Sequence, residues 1–238
     1  MGYLDYYSYQ AKARGVRTLE DIRRIAEERA YLYDRIVLPW LPPNKAARVG
    51  ELACGHGSFL WWLRQRGYQE VIGIDSSPEQ IALAAQTGAA TRLMEVNRWL
   101  EEQPEGKLQA LVGIDLIEHI SKDDFMNLLE ASYRALAADG HLILRYPNGD
   151  SPFVGRNLFN DITHIWTYTT NCLETLGRMH RFSRFRFVDE STAAIRDLRV
   201  IKVPLCRLSL ALLKALTHAA TKERIAFWSP HIWACLQK

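Results

Sequence analysis

Between Arg48 and Leu60 the chain reads Arg-Val-Gly-Glu-Leu-Ala-Cys-Gly-His-Gly-Ser-Phe-Leu: an apolar strand ending in an acidic residue, a Gly-x-Gly bend and the first turn of an amphipathic helix. Few folds accommodate that succession. Gly55 and Gly57 permit backbone conformations closed to residues with a Cβ, and they leave room for a ligand against the main chain. Eighteen residues past Gly57, the apolar segment Val71-Ile72-Gly73-Ile74 ends in Asp75. A carboxylate at that place can accept both hydrogen bonds of a ribose diol. The pair of signals predicts two adjacent parallel strands with a nucleotide-type cofactor across their carboxyl ends.

The rest of the chain supports a sheet of this kind. Leu19, Ile22, Ile25, Ala26, Ala30, Tyr33 and Val37 recur at helical spacing from Thr18 to Leu38, with Thr18 as N-cap and Asp21 near the first turn; Pro39, Pro42 and Pro43 stop the helix. Strands near 47–52, 70–75, 91–96, 108–114 and 140–146 then alternate with helices over 58–67, 78–87, 97–103 and 122–137. Pro78 suits a first helical turn, and Asp139-Gly140 is expected to close the last of these helices. Such alternation implies a mostly parallel sheet with helices on both faces, whose ligands bind beyond the carboxyl ends of the strands.

A dinucleotide fingerprint needs a third glycine where this chain has Leu60, which counts against a nicotinamide oxidoreductase. Glu51 followed by Ala53-Cys54-Gly55-His56-Gly57 instead resembles the E/D-x-G-x-G motif of class I S-adenosylmethionine-dependent methyltransferases, with Ala53 in place of the first glycine. The segment from Leu111 to Ile120 resembles that family's fourth motif. Leu136-Ala-Ala-Asp-Gly140, leading into His141-Leu-Ile-Leu144, resembles its fifth strand and the turn before it. The resemblance covers roughly residues 45–147. It implies an α/β fold built on a seven-stranded, mostly parallel Rossmann-like sheet with helices on both faces and a reversed final strand at His231–Leu236. A helical cap over 1–44 would precede a methyltransferase domain over 45–238, with an acceptor loop at 147–168 and a helical insertion near 200–222.

The implied cofactor is S-adenosylmethionine. Glu51, Ala53, Cys54, Gly55 and Gly57 would hold its methionine part and Asp75 its ribose; Ser76, Glu95 and Val96 would line the adenine pocket, and Asp115 with Leu116 would close the floor beneath the methyl group. An acidic residue beside a sulfonium and an ammonium group is electrostatically sensible.

Past the fifth strand, the stretch from Pro147 to His164 is long, polar and rich in turn residues, as functional loops are. Asp161 and His164, followed by Trp166 and Tyr168, bring a base, a carboxylate to orient it and aromatic faces for a sugar ring close together. The pattern formed by Pro147-Asn148, Ser151-Pro152-Phe153 and Asp161-x-Thr163-His164 resembles methyltransferases of bacterial polysaccharide and lipopolysaccharide biosynthesis, which act on sugar hydroxyls. A hydroxyl acceptor must lose its proton, so His164 or His119, with Asp161, is the expected catalytic set. A small aromatic, quinone-type or carboxylate metabolite is the alternative acceptor, met by Phe153, Phe159, Trp166 and Tyr168, and an accessory subunit that binds cofactor without turnover is the non-enzymatic alternative.

The net charge is only +3 and the basic residues are scattered, which argues against nucleic acid as a partner. The dense cluster from Arg178 to Arg186 reads as a helix end and a strand. Cys54, Cys172, Cys206 and Cys235 are widely spaced, so neither a metal site nor a disulfide framework is expected, and a reducing cytoplasm is the default compartment. The chain shows no signal-peptide pattern at Met1–Tyr7 and no apolar run long enough for a membrane span. A leucine-rich helix over 204–220 is read as packed on the domain, as a homodimer interface, or as a peripheral contact with the inner face of a membrane that carries a lipid-linked glycan acceptor.

Overall fold

Four helix starts are set by a short polar side chain that accepts a backbone N–H otherwise without a partner. Thr18 caps α1 (Leu19–Ile36) in a reciprocal box with Asp21. Ser77 caps α3 (Pro78–Ala84), with Pro78 in its first turn. Ser121 caps α5 (Lys122–Ala135) and Thr169 caps α7 (Thr170–Met179). Helix α2 (Ser58–Gln65) instead starts at Gly57, whose φ of 85° puts the cap in the left-handed region. The remaining α-helices among the described residues are α4 (Val96–Glu102), α6 (Val154–Phe159) and α8 (Lys202–Thr221). The computed structural model describes residues 15–190, 202–222 and 225–238, without the side chains of 202–207. The first fourteen residues of the expected cap, the start of the expected insertion and the side chain of Cys206 therefore lie outside the described residues.

Seven strands, β1 (Val49–Leu52), β2 (Val71–Asp75), β3 (Ala90–Leu93), β4 (Leu108–Ile114), β5 (Leu136–Pro147), β6 (Arg184–Asp189) and β7 (His231–Gln237), form one sheet in the order β3-β2-β1-β4-β5-β7-β6. β1 to β5 run parallel, and β7 lies antiparallel to both of its neighbours. The sheet is therefore Rossmann-like with a reversed final strand. One face is covered by α1, α2 and α3, the other by α4, α5 and α7, each sealing an apolar core. On the first face Tyr33 of α1 makes edge contacts with Phe59 at 5.0 Å, Trp62 at 5.4 Å and Trp233 of β7 at 6.1 Å. Such pairs add about 0.5–1.5 kcal/mol each beyond their buried area, so α1 is bound into the core.

Some boundaries differ from the sequence reading. β3 stops at Leu93 and Val96 already begins α4, because the apolar pair Met94 and Val96 continues an alternation that the backbone abandons. Helix α5 ends at Ala135, two residues before the expected end, β5 begins directly at Leu136, and the left-handed residue near its start is Asp139 (φ 62°), not Gly140. The stretch 147–168 contains α6 and is anchored at several points. The buried Asn148 side chain donates to the carbonyls of Phe227 and Ser229 (3.2 and 2.9 Å), and Ser151 Oγ donates to that of Trp228 at 2.8 Å. The basic cluster does form the end of α7 and β6. Helix α8 leaves Leu208, Leu212, Leu213 and Leu216 exposed, so these four leucines do not pack on the domain. Among the described residues no helix is long and apolar enough to cross a membrane.

Candidate cofactor and acceptor site

The carboxyl ends of β1 and β2 converge on the bend between β1 and α2. Ala53, Gly55 and Gly57 have φ of 54°, 51° and 85°, so every second residue of the bend is left-handed. This explains glycine at alternate positions, and Ala53 occupies the first of them at a steric cost. The two glycines do different work. A Cβ on Gly55 would meet nothing nearer than Gln80 Oε1 at 3.8 Å, which leaves its face open to a ligand. A Cβ on Gly57 would lie 2.9 Å from Ala84 Cα, so Gly57 serves the packing of α2 on α3.

Asp75 fastens the bend to β2. Its Oδ2 accepts the Gly55 N–H at 2.9 Å and its Oδ1 that of Ser77 at 2.8 Å. Each oxygen keeps a second lone pair. Burial raises its pKa, and the backbone N–H groups of Ser77, Gly55 and Ser76 counteract that rise. The helix cap is Ser77. Glu51 is 3% exposed and its Oε2 has no hydrogen-bond partner. Burial first, then the charge of Asp75, pushes its carboxyl well above the usual range, with the Leu60 N–H opposing. Cys54 is buried and its thiol is pushed up by the same burial and by the same two carboxylates. Ser76 and Glu95 are exposed beyond β2 and β3, and Val96 is half-buried beside them.

At the end of β4, Asp115 (φ 53°) is ion-paired with Arg145 of β5, whose Nε also meets Glu190 Oε1 at 2.5 Å. Glu190 accepts the indole N–H of Trp233 at 2.9 Å. Burial pushes the Asp115 carboxyl up, but Arg145, His231 and Arg29 of α1 together pull it below the usual range. Leu116 is buried next to it.

A second polar group lies just beyond. Donor atoms of Glu118, His119 and His164 stand within 4.8 Å of one another. Glu118 is 1% exposed and its Oε2 lacks a hydrogen-bond partner; its carboxyl is pushed well up, by burial and then by Asp115. The segment carrying His164 is fixed to this strand end by the Ile165 N–H, which donates to the Glu118 carbonyl at 2.7 Å. His119 Nδ1 lies 2.9 Å from Thr163 Oγ1, and that hydroxyl donates to Asp161 Oδ1 at 2.6 Å. His164 Nδ1 faces the Leu158 carbonyl at 3.0 Å. Asp161 thus reaches His119 through Thr163, whereas the sequence reading paired it with His164. Burial, then the neighbouring His164, lowers the pKa of His119 to about 4 despite Asp161 and Asp115.

Of the aromatic residues expected to meet an acceptor, Tyr168 is buried against Phe125 at 4.7 Å, so its ring belongs to the core. Phe153, Phe159 and Trp166 are exposed, and Lys122 Nζ sits 3.8 Å over the Trp166 ring. Pro152, Phe153, Arg156, Asn157, Asn160 and Pro230 line a cavity of about 670 Å³ beside α6. The sequence reading missed Glu118, Thr163, Arg145 and Glu190. Glu118 stands beside His119 in the motif after β4 and could have been found there; Arg145 and Glu190 are 45 residues apart and carry no local signal.

Comparisons with known proteins agree with this fold. A family model described as a methyltransferase domain matches residues 25–189. No curated protein matches significantly. Among solved structures, an S-adenosylmethionine-dependent methyltransferase from Archaeoglobus fulgidus is 20% identical with a TM-score of 0.71, covering 98% of this chain and 99% of that one. One from Thermotoga maritima is 18% identical with a TM-score of 0.61, covering 90% and 91%. Phosphoethanolamine N-methyltransferase 2 from Haemonchus contortus, in complex with S-adenosylmethionine, is 14% identical with a TM-score of 0.59; the match covers 87% of this chain and 51% of that one.

Proposed function

The chain belongs to the methyltransferase-domain family and is an S-adenosylmethionine-dependent enzyme, and from that premise we propose that it methylates a hydroxyl group, that of a sugar in a bacterial surface glycan or its lipid-linked precursor. The residues at β1 and β2 fit the cofactor. Glu51 has a buried carboxylate oxygen without a partner, which a cationic ligand would satisfy, and Gly55 leaves its face clear. Glu51 and the bend at 53–57 would hold the methionine part, Asp75 the ribose, and Ser76, Glu95 and Val96 the adenine. When bound, the cofactor supplies a methyl group on a positively charged sulfur.

Positive charge disperses as the methyl group moves in line, so the protein chiefly has to align acceptor and donor. Asp115 and Leu116 would form the floor of that alignment. The observation that carries the hydroxyl reading is the polar cluster of Glu118, His119 and His164 beyond β4. An acceptor whose proton must leave needs such a group, and a carboxylate acceptor does not. Asp161 and Thr163 behind His119 hold the imidazole in place. The cavity beside α6, with asparagines and an arginine among apolar rings, suits a polyhydroxylated ring.

Transfer of labelled methyl into lipid-linked glycan fractions tests the reading. Label that survives mild alkali, as a methyl ether does, is the expected result. Label found only in alkali-labile esters or in small aromatic metabolites would replace the sugar hydroxyl with the alternative acceptor.

A further inference from the structure

We propose that Glu118, His119 and His164 form a binding site for one divalent transition-metal cation of the Zn²⁺ or Mn²⁺ type, although the cysteine and histidine spacing of the sequence gives no sign of a metal. Two donors on one ion at about 2.0–2.2 Å each stand at most about 4.4 Å apart. The three donors here already lie within 4.8 Å, so side-chain shifts of less than about 1 Å would close them on an ion.

The second observation is the Glu118 carboxylate. It is 1% exposed, and Oε2 has no hydrogen-bond partner. A buried carboxylate oxygen without a donor is costly, and a cation among these three groups removes that cost.

The surroundings of both imidazoles point the same way. A carbonyl can only accept, so His164 Nδ1, 3.0 Å from the Leu158 carbonyl, carries the hydrogen and leaves the lone pair on Nε2. Thr163 Oγ1 gives its own proton to Asp161, so it accepts from His119 Nδ1, and that ring too has its lone pair on Nε2. Imidazoles that ligate metals generally donate their other N–H to a carbonyl or a carboxylate network in this manner. Two imidazoles and one carboxylate favour a cation of borderline softness over Mg²⁺ or Ca²⁺, and three protein ligands leave coordination positions open.

An acceptor hydroxyl fits such a position; this role, unlike the site itself, rests on the hydroxyl reading above. On the cation the O–H bond breaks more readily and its proton leaves to solvent. The oxygen electron pair then forms the O–CH₃ bond, and the electron pair of the S–CH₃ bond stays on sulfur.

The test is a titration of chelator-treated protein with Mn²⁺, followed by electron paramagnetic resonance, and with Co²⁺, followed by its visible absorption. The expected result is one cation per chain, with Glu118→Gln, His119→Ala and His164→Ala each weakening Mn²⁺ binding by at least about ten-fold. Thr163→Val, which removes the hydroxyl behind His119, weakens it roughly 10–100-fold. Calorimetric binding of S-adenosylmethionine checks that each variant is folded. Absence of stoichiometric binding by the unaltered protein, or binding unaffected in folded variants, overturns the site. Full methyl transfer to a hydroxyl acceptor in chelator overturns the role of the cation and leaves the hydroxyl reading intact; a bound cation with transfer only to non-hydroxyl acceptors overturns the hydroxyl reading and that role with it, and leaves the site standing.

Discussion

Two residues of the bend carry most of its chemistry, Glu51 as a charge and Ala53 as a strained hinge. The Glu51 carboxyl is held well above the usual range by burial and then by Asp75. A cationic cofactor favours its ionised form, so binding releases a proton wherever that group is protonated in the free protein. Lower pH therefore opposes binding, by up to about one log unit of affinity per pH unit while Glu51 titrates. Calorimetry at successively lower pH measures this, and Glu51→Gln is expected to flatten the dependence and to weaken binding about ten-fold or more, since a charge-assisted contact is worth about 1.5–3 kcal/mol. Ala53 has a φ of 54°. Ala53→Gly removes a left-handed cost of about 1–2 kcal/mol, offset by about 0.4–1 kcal/mol of unfolded-chain entropy. Urea unfolding should show a variant as stable as the parent or up to about 1.6 kcal/mol more so; a clear destabilisation would mean that the methyl group of Ala53 packs to advantage.

Between elements, the junction of α2 and α3 depends on the missing side chain of Gly57. An added Cβ would press on Ala84 Cα at 2.9 Å from a backbone with φ of 85°. Gly57→Ala is therefore expected to cost roughly 2–5 kcal/mol, combining the left-handed penalty with overpacking, and thermal melting will show it. Gly55→Ala has the backbone strain without the collision. The cap at Thr18, the helix start at Pro78 and the whole β1–α2–β2 unit were legible because their signals are local: a polar cap, a proline, glycines at alternate positions. The end of β3 was misread because Met94 and Val96 keep an apolar alternation across a turn. Helix α7 was missed beyond its basic end although Leu173, Leu176 and Gly177 stand at helical spacing and Thr169 caps it.

Across the molecule, long-range pairings hold together what the sequence shows only in pieces. The cofactor half of the site could be read from one continuous stretch, whereas the acceptor half joins Glu118 and His119 to a segment 45 residues away, and no pattern along the chain reports that meeting. The same holds for Arg145, which is buried between Asp115 and Glu190 and so links β4, β5 and the end of β6. Arg145→Ala leaves the largely covered Glu190 and the partly exposed Asp115 without their cation and is expected to lower stability by up to about 3–5 kcal/mol in denaturant titration. A smaller loss would indicate that water reaches both acids once the guanidinium is gone. The reversed strand has a further consequence for biosynthesis. Because β7 lies between β5 and β6 yet comes last of the seven in chain order, a ribosome emitting the polypeptide releases five strands and a sixth that has no neighbour to join. Until His231–Gln237 emerge, the β5 border stays bare and liable to recruit another nascent copy, so shielding by a chaperone at that stage would matter more than at any earlier one.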